Sequence, residues 1–179
     1  PQEFWVSEAE CRAAAEKVDS ATRAAVDCAV CQIQEFSRRR LPVNWSCTPR
    51  AGVTLGEQFS PLERVGCYVP GGTAPLISTV VHTVAIAAAA GVREIVVVTP
   101  PGKDGAVNPA LLYACQKAGA TEIYRLGGVY GIAALAFGTA TVRKVEKIVG
   151  PGNAYVTAAK RQVYGEVALD LVAGPSEIM

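Results

Sequence analysis

Four short stretches carry the residue types that can hold a phosphate: Tyr68-Val69-Pro70-Gly71-Gly72, Gly127-Gly128, Gly150-Pro151-Gly152-Asn153 and Ala173-Gly174-Pro175-Ser176. Each follows a short apolar or β-branched run. Glycine at a strand-to-helix turn lets backbone N–H groups approach an anion, and the helix that follows presents its positive end. A single loop of this kind is equally well read as a tight turn. Four in register point to a nucleotide crevice without saying which nucleotide. Gly71-Gly72 lacks the dinucleotide glycine spacing, and Thr99-Pro100-Pro101 stands where an acid would take the ribose diol. Gly152-Asn153 is not followed by the Lys-Ser or Lys-Thr of a triphosphatase loop.

The elements that must position these loops are legible as an alternation. Residues 64–69, 94–99, 122–126, 147–149 and 167–171 read as strands, and residues 77–90, 109–118, 130–137 and 154–164 read as the helices between them. That order predicts right-handed crossovers and a parallel sheet covered on both faces, an α/β fold. The run Ile95-Val96-Val97-Val98 fits a strand buried on both sides. Gly91, Gly119, Gly138 and Gly165 stand where the helices end, each able to turn left-handed. In such a sheet, ligands bind outside the carboxyl ends of the strands, where the four loops fall.

Upstream, residues 7–39 read as one amphipathic helical arm, with Ser7 and Glu10 spaced as a capping box. Val18, Ala25, Ala29, Ile33 and Phe36 lie along one face, with Thr22 as a polar interruption. Arg38, Arg39 and Arg40 suit the negative end of the helix dipole. Residues 41–61 read as a connection with one short hairpin.

Composition narrows the partners. The chain has 179 residues, half of them hydrophobic, and a formal charge of +1 from 17 basic and 16 acidic side chains. No global field is available to gather nucleic acid or an anionic membrane. The apolar stretches 80–92 and 95–98 are too short to span a bilayer and are interrupted by His82, Arg93 and Glu94. Glu3, Glu8 and Glu10 occupy the place of a signal peptide's basic and apolar regions. A cytoplasmic location with six reduced cysteines is therefore expected, and both termini read as cut.

Three sets of residues have a plain reading beside a chemical one. His82 is the only histidine and reads as a packed or surface residue rather than a ligand. Cys28 and Cys31 share a helix face, but no second pair follows at metal-binding spacing, so they read as buried thiols; Cys47, Cys67 and Cys115 read as packing residues. Lys160-Arg161 suits the carboxyl end of its helix. Asp170 is a carboxylate near the crevice, able to take a substrate amine or orient a loop, although strand-end carboxylates often only cap the next turn.

Taken together, residues 64–76, Ile148-Val149-Gly150-Pro151-Gly152-Asn153, Ala173-Gly174-Pro175-Ser176-Glu177 and the stretch 127–139 resemble the histidinol dehydrogenase family over nearly the whole chain. The resemblance implies a homodimeric, zinc-dependent enzyme of histidine biosynthesis that oxidises L-histidinol through histidinal to L-histidine with NAD. It implies a Rossmann-like NAD-binding domain in residues 61–179, preceded by a helical arm and linker in residues 1–60 that belong to a second domain of the whole enzyme. Tyr68 and Asn153 match residues that contact NAD, and Ser176 matches a substrate-contacting serine. Tyr130 stands where the family commonly has a glutamine that also contacts NAD; a tyrosine offers a hydroxyl and a ring in place of an amide. The family's zinc ligands and its Glu-His general acid and base lie beyond the Ala-Gly-Pro-Ser-Glu motif. Residues 1–179 are thus expected to hold no catalytic residue and no metal ligand, and to be inactive alone. Two other functions are compatible with the residues: a noncatalytic nucleotide-binding module, or a dehydrogenase of another small alcohol.

Overall fold

The computed structural model describes residues 4–71 and 75–174. Two helices open the chain, α1 (Glu8–Glu16) and α2 (Ser20–Arg39), followed by a hairpin of β1 (Trp45–Arg50) and β2 (Val53–Glu57). The alternating region then runs β3 (Arg64–Tyr68), α3 (Ile77–Ala89), β4 (Glu94–Val98), α4 (Pro109–Ala118), β5 (Glu122–Tyr124), α5 (Gly128–Phe137), β6 (Lys147–Val149), α6 (Ala154–Gln162) and β7 (Ala168–Leu169). All five expected strands form, the last shortened to two residues.

The five strands make one sheet in the order β5-β4-β3-β6-β7, and every pairing is parallel. Side chains alternate across it, as the period of two requires. Val65, Cys67, Ile95, Val97 and Ile123 enter a core shared with α1, α2, α3 and α4. Tyr68, Val96, Val98, Tyr124 and Ile148 enter a second core with α5 and α6. All of β3 is buried, as expected of a central strand covered on both faces. Gly91, Gly119, Gly138 and Gly165 all take positive φ.

The single long helix expected over residues 7–39 is two helices. The capping box forms: Ser7 Oγ accepts the Glu10 N–H at 3.2 Å, and Glu10 Oε2 accepts the Ser7 N–H at 3.0 Å. The helix then stops at Lys17, and Asp19 caps a new one by accepting the Thr22 N–H at 2.9 Å. Thr22, the polar interruption on the expected apolar face, donates its hydroxyl to Asp19 Oδ2 at 2.7 Å. An aspartate cap offers the backbone an alternative to continuing the helix, which the even spread of alanines conceals. The buried residues of α2 are Val26 and Val30, and Phe36 is exposed.

Residues 4–6 supply one element that periodicity does not reveal. The Val6 N–H donates to the Ile123 carbonyl at 2.9 Å and the Arg125 N–H to the Phe4 carbonyl at 2.7 Å, an antiparallel contact that covers the open edge of β5. The hairpin instead stands clear, exposed along both strands except at Val53.

Candidate functional site at the carboxyl edge

The chain builds β3, β4 and β5 outward in one direction, then returns to place β6 on the other side of β3. The topological switch point therefore lies between β3 and β6, the place where a sheet of this kind offers a ligand crevice. The loops leaving the two strands are Tyr68–Gly71 and Gly150–Asn153, two of the four glycine loops.

Gly150 is the joint of the crevice. Its φ is +117°, a left-handed conformation open to glycine, and a Cβ there would collide with the Tyr68 carbonyl oxygen. Both of its backbone polar groups are taken by side chains. The N–H donates to Asp170 Oδ2 at 2.8 Å, and the carbonyl accepts Lys160 Nζ at 2.8 Å. Lys160 and Asp170 pair directly, Nζ to Oδ1, at 2.5 Å. Lys160 is 4% exposed, so its charge is met almost wholly by this carboxylate and this carbonyl. Burial pushes the Asp170 carboxyl upward, but the Lys160 ammonium and the N–H groups of Gly150 and Leu171 hold it below its ordinary value.

Two residues further on, Gly152 lies flat against the Val156 side chain, where a Cβ would not fit. Asn153 then caps α6, its Oδ1 accepting the Val156 N–H at 3.0 Å. The cap uses the carboxamide oxygen, and the Nδ2 amide remains a donor of the kind a ligand oxygen requires.

Tyr68 closes β3 on the α5 side. It is 4% exposed, and its hydroxyl accepts the Gly128 N–H at 3.0 Å. The phenol thereby fixes the turn that opens α5, joining a third glycine loop to the first. Tyr130, in the first turn of α5, is 78% exposed. Tyr68 thus meets Gly128 through its hydroxyl and Gly150 through its carbonyl, with Asn153 three residues beyond Gly150, while Tyr130 extends outward. Ser176 lies outside the described residues.

Beside the crevice, a cavity of about 450 Å³ extends over the ends of β3 and β4 to α1 and α4, lined in part by Gly71, Thr99, Pro100, Asp104 and Arg125. Thr99 closes β4 where a ribose-binding acid would stand, and its Oγ1 is buried without a partner among the described residues.

The Lys160–Asp170 pair is what residue-by-residue reading misses. Asp170 orients a loop, one of the roles open to it. Lys160 does not serve the helix end but lies on Gly150. The signal was present: Lys160 falls on the face of α6 that carries Val156, Ala159 and Val163, where an ammonium must be paired.

The cysteines divide differently from the expectation of buried packing residues. Cys28, Cys31 and Cys47 are exposed, because α2 turns that part of its surface outward and the hairpin stands clear. Cys67 and Cys115 are buried; burial drives the Cys67 thiol up to about 12 and the Cys115 thiol still higher, so both are inert as nucleophiles near neutral pH. His82 is exposed on α3, beside an apolar cleft lined by Leu41, Phe59 and Leu62. Among the described residues, no group of three His, Cys, Asp or Glu side chains converges as a metal site. No helix there is long and apolar enough to cross a membrane.

Comparison with known proteins identifies the frame to which this edge belongs. The family model described as histidinol dehydrogenase matches residues 1–179. Histidinol dehydrogenase of Rhodopseudomonas palustris is 53% identical over 175 residues, covering 97% of this chain and 40% of that protein. That of Oceanobacillus iheyensis is 49% identical over 175 residues, covering 98% of this chain and 41% of its own. The crystal structure of histidinol dehydrogenase from Elizabethkingia anophelis superposes with a TM-score of 0.91 at 40% identity, over 97% of this chain and 40% of that one. The chain therefore spans about two fifths of the length of the relatives it matches. It is a member of the histidinol dehydrogenase family.

Proposed function

We propose that this chain is the cofactor-binding part of an NAD-dependent histidinol dehydrogenase, with NAD bound in the crevice between β3 and β6. The observation that carries the reading is the switch point itself, walled by Tyr68, Gly150, Gly152 and Asn153. The residues fit the cofactor. The glycines bring main chain to the crevice, α6 points its positive end there, and Asn153 keeps a side-chain donor beyond its cap. NAD, when bound, supplies the hydride acceptor for oxidation of the alcohol and then of the aldehyde. Asn153 holds the cofactor by its amide, Tyr68 keeps the Gly127–Gly128 turn in place, and Tyr130 presents a ring and hydroxyl at the rim. Ser176 positions the histidinol substrate.

The described residues do not compose a zinc site. In this reading, zinc and proton transfer belong to the remainder of a homodimeric, cytoplasmic enzyme. Residues 61–179 form the cofactor domain. The helical arm and linker of residues 1–60 belong to the second domain of the whole enzyme, with α1 and α2 packed on the cofactor domain.

Two measurements test the proposal. In the whole enzyme, Asn153→Ala raises the KM for NAD by about tenfold, the loss expected for one ligand hydrogen bond together with its cap; an unchanged KM contradicts the cofactor assignment. The 179-residue chain alone, given histidinol, NAD and zinc, produces no NADH; turnover would show that its own residues suffice.

A further inference from the structure

We propose that Lys160 and Asp170 are positioning residues for the cofactor loop, an inference that rests on the NAD reading of the crevice. Neither side chain is offered as a cofactor contact. Their effect passes through Gly150, the first residue of the loop that ends at Asn153.

The geometry is specific. Gly150 is left-handed and lies against the Tyr68 carbonyl. Here its N–H is held by Asp170 Oδ2 at 2.8 Å and its carbonyl by Lys160 Nζ at 2.8 Å. The 2.5 Å Lys160–Asp170 contact closes the triangle. The anchors come from α6 and from the residue after β7, so the loop's exit from β6 is fixed from two independent elements. Lys160 is also seven residues beyond Asn153, two turns along the helix that Asn153 caps. The same ammonium therefore ties α6 to the strand that leads into its cap. Asp170 Oδ1 in addition accepts the Leu171 N–H at 2.7 Å.

Freed from the pair, Gly150 can rotate its peptide, and the Asn153 amide moves relative to Tyr68. Displacement by an ångström is enough to lose a bound-state hydrogen bond without altering the chemistry of a cofactor once it is seated.

The test is steady-state kinetics of the whole enzyme carrying Lys160→Met, Lys160→Arg and Asp170→Asn, with Asn153→Ala measured alongside. For K160M, the NAD KM rises about tenfold while kcat at saturating NAD and the histidinol KM stay within about twofold, the pattern of lost binding rather than lost catalysis. K160R recovers most of the affinity, since a guanidinium can still donate to both partners. D170N gives the same split and decides the matter if K160M does not fold. An NAD KM within about twofold of the parent in the folded variants, with only the melting temperature lowered, overturns the inference while an elevated KM in N153A leaves the cofactor site standing. An unchanged NAD KM in N153A overturns the cofactor reading and the inference together.

Discussion

The two ends of the parallel sheet use charge in different ways. At the amino ends of β3, β4 and β5, charged side chains meet one another. Arg64, 3% exposed, donates to Glu94 Oε2 at 2.5 Å and to both oxygens of Glu122 at 2.7 and 2.8 Å, while Arg143 shares the same Glu94 oxygen. Tyr124 adds its hydroxyl to Glu122 at 2.9 Å. At the carboxyl ends, Lys160 and Asp170 pair with each other and, with Asn153 and Tyr68, also hold backbone groups of the loops. The first arrangement staples three strands together. The second sets the course of the loops, so in the proposed reading charges at one end answer for stability and at the other for ligand affinity.

That division can be broken by exchanging the expected effects. Arg64→Met carries the largest: it leaves Glu122 with no counter-charge beside a Glu94 held by Arg143 alone, and urea unfolding should show a loss of about 2–3 kcal/mol. The NAD KM of the same variant stays unchanged. The pH dependence follows from the same cluster. Hydrogen bonds from Arg143 and then Arg64 lower the Glu94 carboxyl, and those from Arg64 lower Glu122, from an ordinary value of 4.5. Their stabilisation is therefore complete above 4.5 and lost as pH falls through the lowered folded values. The parent should lose stability on acidification below that point, and Arg64→Met should lose less; equal slopes would show that the cluster does not couple to folding.

The smallest effect belongs to Tyr130→Gln. At 78% exposure the side chain holds little of the fold, so the melting temperature should not move. The NAD KM should change by no more than about threefold, as an amide replaces a ring and hydroxyl at the rim. A larger loss would place Tyr130 deeper in cofactor binding than its exposure suggests.

The sheet was legible because its signals are local. Runs such as Ile95-Val96-Val97-Val98, separated by helical segments ending at Gly91, Gly119 and Gly138, define strands and crossovers without knowledge of any contact. The break at Asp19 was hidden because helix-favouring alanines continue on both sides of it. Residues 4–6 were hidden because three residues have no period, and only the open edge of β5 gives them a partner. At the site, Tyr68 and Asn153 were found through the family resemblance. The bonds of Lys160 and Asp170 to Gly150 were not, since they join three elements spaced ten residues apart, a relation that exists only after β6, α6 and β7 have packed.

A crystal structure of the whole enzyme soaked with NAD decides whether the cofactor lies at the switch point between β3 and β6. Cofactor density bounded by Tyr68 and the Gly150–Asn153 loop, with the Asn153 amide within about 3 Å of a cofactor oxygen, is the predicted result. Well-ordered NAD bound elsewhere, with the Gly150–Asn153 loop untouched, would contradict it.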